Sequence, residues 1–118
     1  QVNKGTLLEQ VYDPPQNNPV VFERHRHRYE VNPKYVDALK AAGLIISGIT
    51  PGMKGRGEGL VEAIELPNHR FFLGVQSHPE LSSRLMRPSP PFKGFIQAAV
   101  EYNQERQGQT ITSEVINR

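Results

Sequence analysis

The 118 residues include no cysteine. That absence excludes a disulfide, a thiolate metal site and a thiol nucleophile within the chain, and it fits a cytoplasmic setting. No apolar run is long enough to span a bilayer, and no signal-peptide pattern is seen, so no membrane partner is expected. A strong charge of one sign is lacking too. Fourteen Lys and Arg against 12 Asp and Glu leave a formal +2, too balanced to argue for nucleic acid. Apolar residues make up only 36%, with a mean hydropathy of −0.54. A chain of this length suffices for one domain with a modest core. It opens on glutamine rather than methionine, as a fragment or processed product would.

Turn-forming residues are plentiful, with 10 Gly and 10 Pro. Residues 1–19 give little pattern: 6–12 suits a short helix or strand, and 13–19, with three prolines, is a loop. Val20-Val21-Phe22-Glu23 reads as the start of a strand running into Arg24-His25-Arg26-His27-Arg28. Kept extended, that run turns its arginines to one side and its histidines to the other. Asn32-Pro33 is an N-cap followed by a first-turn proline, predicting a helix over 33–42 with Gly43 as its stop. Its apolar stripe is Val36 and Leu39. Strands are predicted over 44–49, 60–66 and 71–76, the last two joined as a hairpin through 67–70. Residues 50–59, rich in glycine, read as a mobile loop. Residues 81–91 form an irregular connection. From Pro91, helical spacing of Phe92, Phe95, Ile96, Ala99 and Val100 marks the best helix, and 107–118 reads as a frayed polar tail.

Three constellations can carry chemistry. His78-Pro79-Glu80 follows the apolar 71–76 strand, which proline cannot continue. A carboxylate that orients a histidine makes the base half of a nucleophile–base–orienter triad; the same spacing also suits a surface turn. The arginines at 24, 26 and 28 suit a bidentate clamp for carboxylate or phosphate, or a solvated edge that resists aggregation. One short basic patch without interleaved aromatics argues little for nucleic acid. His25 and His27 have the spacing of metal ligands, but no third donor is evident, so no metal site is assigned. The Gly-x-Gly fragments of 52–59 do not sit between a strand and a helix, as a phosphate loop requires.

Glu23-Arg24-His25-Arg26-His27-Arg28-Tyr29-Glu30-Val31-Asn32 closely resembles a signature of the CTP synthase family. Gly74-Val75-Gln76-Ser77-His78-Pro79-Glu80 is similar to the segment carrying the last two triad members of that family's glutaminase domain, a class I glutamine amidotransferase. Arg87-Pro88-Ser89-Pro90-Pro91-Phe92 and the helix after it also match, so the likeness runs from about Val20 to Gln104.

The resemblance implies an α/β fold, a partial flavodoxin-like class I glutamine amidotransferase domain with a mixed sheet and flanking helices. On that basis residues 1–19 are an irregular start or linker, 20–106 the C-terminal half of a glutaminase domain, and 107–118 a tail. It implies His78 as general base, Glu80 as its orienter and Arg28 as contact for the carboxylate of L-glutamine. The family's cysteine attacks the glutamine amide, and the ammonia released converts UTP to CTP in a synthetase domain that uses ATP and magnesium. No cofactor is expected in this chain itself. Its partners would be glutamine, the upstream glutaminase half and synthetase domain, and further copies in a homo-oligomer. Without a cysteine the isolated chain is expected to be inactive. The alternative is a non-catalytic binding or assembly module on a glutaminase fold.

Overall fold

β1 (Ile45–Ile49), β2 (Val61–Glu65) and β3 (Leu73–Val75) form a three-stranded sheet in that order. The computed structural model describes residues 1–52 and 59–108; most of the loop expected over 50–59 and of the tail expected over 107–118 lies outside them. All three predicted strands are found, each somewhat shorter than its apolar run. The hairpin is also as predicted: Asn68 takes a left-handed φ of 64° in its turn, which asparagine tolerates, and Ala63 pairs with Val75 and Glu65 with Leu73. Every strand pair among the described residues is antiparallel, where a mixed sheet was expected. Successive strands joined by short links pair as hairpins, whereas parallel pairing needs a long crossover. The free edge of β1 is met by the first residues of the chain. Asn3 donates its N–H to the Ser47 carbonyl at 2.8 Å, and Ile49 to that of Gln1 at 2.9 Å.

Strand alternation splits β2 into two faces. Val61, Ala63 and Glu65 are buried, while Glu62 and Ile64 are half-buried. α1 (Leu7–Tyr12) joins the buried face, with Leu8 meeting Val2 and Ala63 in the core and Tyr12, Val21, Leu73 and Val75 around it. Thr6 caps this helix by accepting from the Glu9 N–H at 3.2 Å. Glu65, only 5% exposed, accepts from the N–H groups of Leu7 and Leu8 at 2.9 and 2.7 Å. First-turn N–H groups have no partner within their helix, and a buried carboxylate is costly unless hydrogen-bonded. Each satisfies the other.

Asn32 caps a 3-10 turn, Pro33–Tyr35, that leads into α2 (Val36–Ala41), and Gly43 closes it at φ 100°. Start and stop match the prediction, but no residue of α2 is buried: Val36 is half-buried and Leu39 exposed. α3 (Pro90–Arg106) packs on α1. Gly94 permits that approach, since a Cβ there would lie 2.8 Å from Val11 Cγ1 and 3.0 Å from Phe71 Cε2. Beyond this crossing Phe95, Ile96 and Val100 remain about half exposed; α1, at six residues, is too short to cover them. No helix among the described residues is long and apolar enough to cross a membrane.

The strand predicted from Val20 is absent: residues 20–32 are irregular. A strand needs a neighbour to satisfy its backbone groups, and from the β3 side this segment receives one backbone–backbone hydrogen bond among the described residues, from the His78 N–H to the Arg24 carbonyl at 2.8 Å. Side chains hold it instead.

Candidate active site at the end of β3

His78 lies three residues past the end of β3, where Pro79 opens a 3-10 turn, Pro79–Leu81. The turn doubles the chain back, so that Glu80 Oε1 lies 2.6 Å from His78 Nδ1. An ionised carboxylate only accepts, so Nδ1 carries the proton in this pair and Nε2 of the neutral ring keeps its lone pair. The hydrogen bond from His78 lowers the Glu80 carboxyl below its ordinary range, aided by a backbone hydrogen bond and the nearby Arg26 charge. Both side chains are solvent-accessible, so the ring is open to a reacting group. The arrangement is that of an oriented general base.

The arginine run lies alongside. Besides the Arg24–His78 backbone bond, Gln76 Nε2 reaches the Tyr29 carbonyl at 3.4 Å. The firmest tie is Glu23, whose two carboxylate oxygens accept from Tyr12 Oη at 2.8 Å and Ser82 Oγ at 2.9 Å. One side chain thus fastens α1, the run and the segment after the dyad. Burial, and then the hydrogen bond to Glu23, push the Tyr12 hydroxyl far above its usual range. Sequence reading missed Glu23; its partners lie 11 and 59 residues away, beyond any local pattern. Ser82 directs its proton to Glu23, which fits a structural role rather than that of a nucleophile.

The structure therefore brings His78 and Glu80 together, and the Arg26 charge acts on Glu80 from the neighbouring run. Arg28 is exposed and forms no ion pair among the described residues. The segment is not a strand, yet His25 and His27 do share a side: their rings meet edge-on at 5.0 Å, with Nδ1 atoms 3.3 Å apart. His27 Nε2 lies 2.6 Å from Glu30 Oε1. From β2, Glu62 Oε2 lies 3.4 Å from His25 Nδ1, while its Oε1 accepts from Thr50 Oγ1 at 2.7 Å. The third donor that sequence alone did not supply is thus Glu62. A cavity of about 140 Å³ adjoins these residues, lined by Val2, Leu8, Tyr12, Val21 and Ser77 among others.

Residues 9–98 match the glutamine amidotransferase class-I family. The chain is 63% identical over 106 residues to the CTP synthase of Thermus thermophilus, covering 90% of this chain and 18% of that protein. It is 57% identical over 105 residues to that of Deinococcus radiodurans, covering 89% and 19%. It thus spans about a fifth of the length of these relatives. Among solved structures, the glutaminase domain of Trypanosoma brucei CTPS with bound acivicin superposes with a TM-score of 0.73 at 43% identity, over 85% of this chain and 36% of that one. The family match runs through His78 and Glu80, and the chain belongs to the class-I glutamine amidotransferase family.

Proposed function

We propose that this chain supplies the base side of the glutaminase site of a CTP synthase. The observation that carries this reading is the 2.6 Å contact between His78 Nδ1 and Glu80 Oε1 at the end of β3. In this role His78 Nε2 takes the proton of a cysteine thiol. The thiolate attacks the side-chain amide carbon of L-glutamine, and the protonated imidazole then gives that proton to the departing ammonia. Glu80 holds the ring in the tautomer that leaves Nε2 free and stabilises the imidazolium. Arg28, exposed and without an ion-pair partner among the described residues, is free to bind the glutamine α-carboxylate with two parallel hydrogen bonds.

The cysteine must come from outside this chain, which has none. So must the synthetase part, where ATP, magnesium and UTP would be bound; no residue here is assigned to them. The half-exposed apolar residues of α3 support contact with further protein, whether the rest of such an enzyme or other copies in a homo-oligomer. The setting would be cytoplasmic. The lack of a nucleophile also favours a second reading, a non-catalytic assembly module on the same fold.

Glutamate release separates the two. The purified chain alone is expected to release none above background. Grafted into the Thermus thermophilus relative in place of the matching segment, it is expected to support glutamine hydrolysis. His78→Ala in that chimera should then lower kcat by two or more orders of magnitude. Hydrolysis by the chain alone, or a chimera indifferent to His78→Ala, would overturn the assignment. A folded chimera without activity would favour the assembly module.

A further inference from the structure

We infer that His25, His27 and Glu62 form a binding site for a divalent transition metal, with zinc as the best fit. One ligand atom from each of the three residues lies within 4.8 Å of the others. Zinc bound by imidazole nitrogen and carboxylate oxygen at about 2.0–2.1 Å in a tetrahedron sets neighbouring ligand atoms about 3.3–3.4 Å apart. The two Nδ1 atoms are 3.3 Å apart, and His25 Nδ1 is 3.4 Å from Glu62 Oε2. These two edges already have the length that a single metal ion requires.

The surrounding groups prepare the ligands. Glu30 accepts from His27 Nε2 at 2.6 Å, which leaves the Nδ1 lone pair aimed at the other donors. A carboxylate on the far nitrogen of a ligating histidine both fixes the tautomer and raises the ring's basicity. Thr50 Oγ1 donates to Glu62 Oε1 and thereby turns Oε2 toward the histidines. Glu62 Oε2 is shielded from solvent and accepts no hydrogen bond among the described residues. A shielded, unpartnered carboxylate oxygen is costly, and a cation resolves that cost. In the metal-free chain His25 holds its proton on Nδ1, between the two rings; metal binding selects the Nε2–H tautomer, which frees the Nδ1 lone pair for the ion. Two imidazoles, one carboxylate and a fourth position for water suit zinc. Magnesium prefers all-oxygen octahedral surroundings.

A metal here would clip the irregular Arg24–Glu30 segment to β2. It shares no residue with the histidine–glutamate dyad, so it can be tested independently of the glutaminase reading. Chelator-stripped chain titrated with zinc chloride in a calorimeter is expected to bind one equivalent and to melt at a higher temperature. His25→Ala, His27→Ala and Glu62→Gln should each weaken binding at least about a hundredfold, and Glu30→Gln about tenfold. His69→Ala, in the β2–β3 turn, should leave it unchanged. Because His25 is exposed and Glu62→Gln preserves shape, circular dichroism is expected to match the parent. Cobalt(II) in place of zinc should give the intense visible bands of a four-coordinate site. Absence of zinc binding would overturn the proposal. So would undiminished binding in the His25→Ala/His27→Ala double variant, or a weak six-coordinate cobalt spectrum.

Discussion

Glu65 and Glu62 stand three residues apart on β2, on opposite faces. Glu65 turns both oxygens to the backbone N–H groups of Leu7 and Leu8. Glu62 gives one oxygen to Thr50 and leaves the other against His25, with no hydrogen bond among the described residues. The first carboxylate is saturated within the fold and holds a helix to a sheet. The second keeps one acceptor in reserve, on the face where the histidines lie. A buried acid with every oxygen matched is part of the scaffold; one left unmatched beside histidines points to a ligand.

The sharpest way to break this comparison is to remove each acid in turn. Glu65→Ala leaves two first-turn N–H groups unpaired in a small core, and we expect a loss of about 3 kcal/mol in denaturant unfolding. In metal-free buffer Glu62→Gln should cost less than about 1 kcal/mol. Equal losses would show that the two faces do not differ in kind.

Glu23 extends the comparison to the arginine run, since both its oxygens are also taken, by Tyr12 and Ser82. It should therefore behave as scaffold. Tyr12→Phe removes one of these bonds and is expected to cost roughly 1.5–2 kcal/mol, in the range of hydrogen bonds to charged groups. The folded Tyr12 hydroxyl has its pKa raised by burial and by Glu23. Its contribution is therefore complete below the unfolded tyrosine value, about 10, and fades as pH rises beyond it. Unfolding followed across alkaline pH should show this extra loss in the parent and not in Tyr12→Phe.

The smallest expected effect lies in the dyad. Glu80 is exposed, and its pKa is lowered first by the hydrogen bond from His78. The bond is present above the ordinary carboxylate range and is lost as pH falls through the lowered value. Carboxyl carbon NMR should show the Glu80 midpoint move up toward its ordinary range in His78→Ala. A midpoint that does not move would mean the pair is not formed in solution.

Local signals were legible in the sequence. Apolar runs located all three strands, and the short 67–70 segment marked the hairpin turn. Asn32 with Pro33 and Gly43 bracketed α2, and helical spacing located α3. His78 and Glu80 stood out because they flank a proline just past an apolar strand, and folding sets their side chains 2.6 Å apart. What failed was long-range. Val20 to Glu23 has strand composition but no strand to pair with, and its hold on the fold comes from Glu23 side-chain contacts. The stripes of α2 and α3 have the right periods, yet Leu39, Phe95 and Ile96 stay exposed, because period reveals a face without showing what covers it. Glu62 looked like any polar residue of a half-buried strand; only folding sets it beside His25.

The central claim is that Glu80 holds His78 ready to act as a base at Nε2. Nitrogen-15 NMR of the His78 ring in the folded chain, above the imidazole titration, tests it most directly. The account predicts a protonated Nδ1 and a free Nε2, with the balance shifting toward the Nε2–H form in Glu80→Ala. A ring already carrying its proton on Nε2 in the parent chain would contradict it.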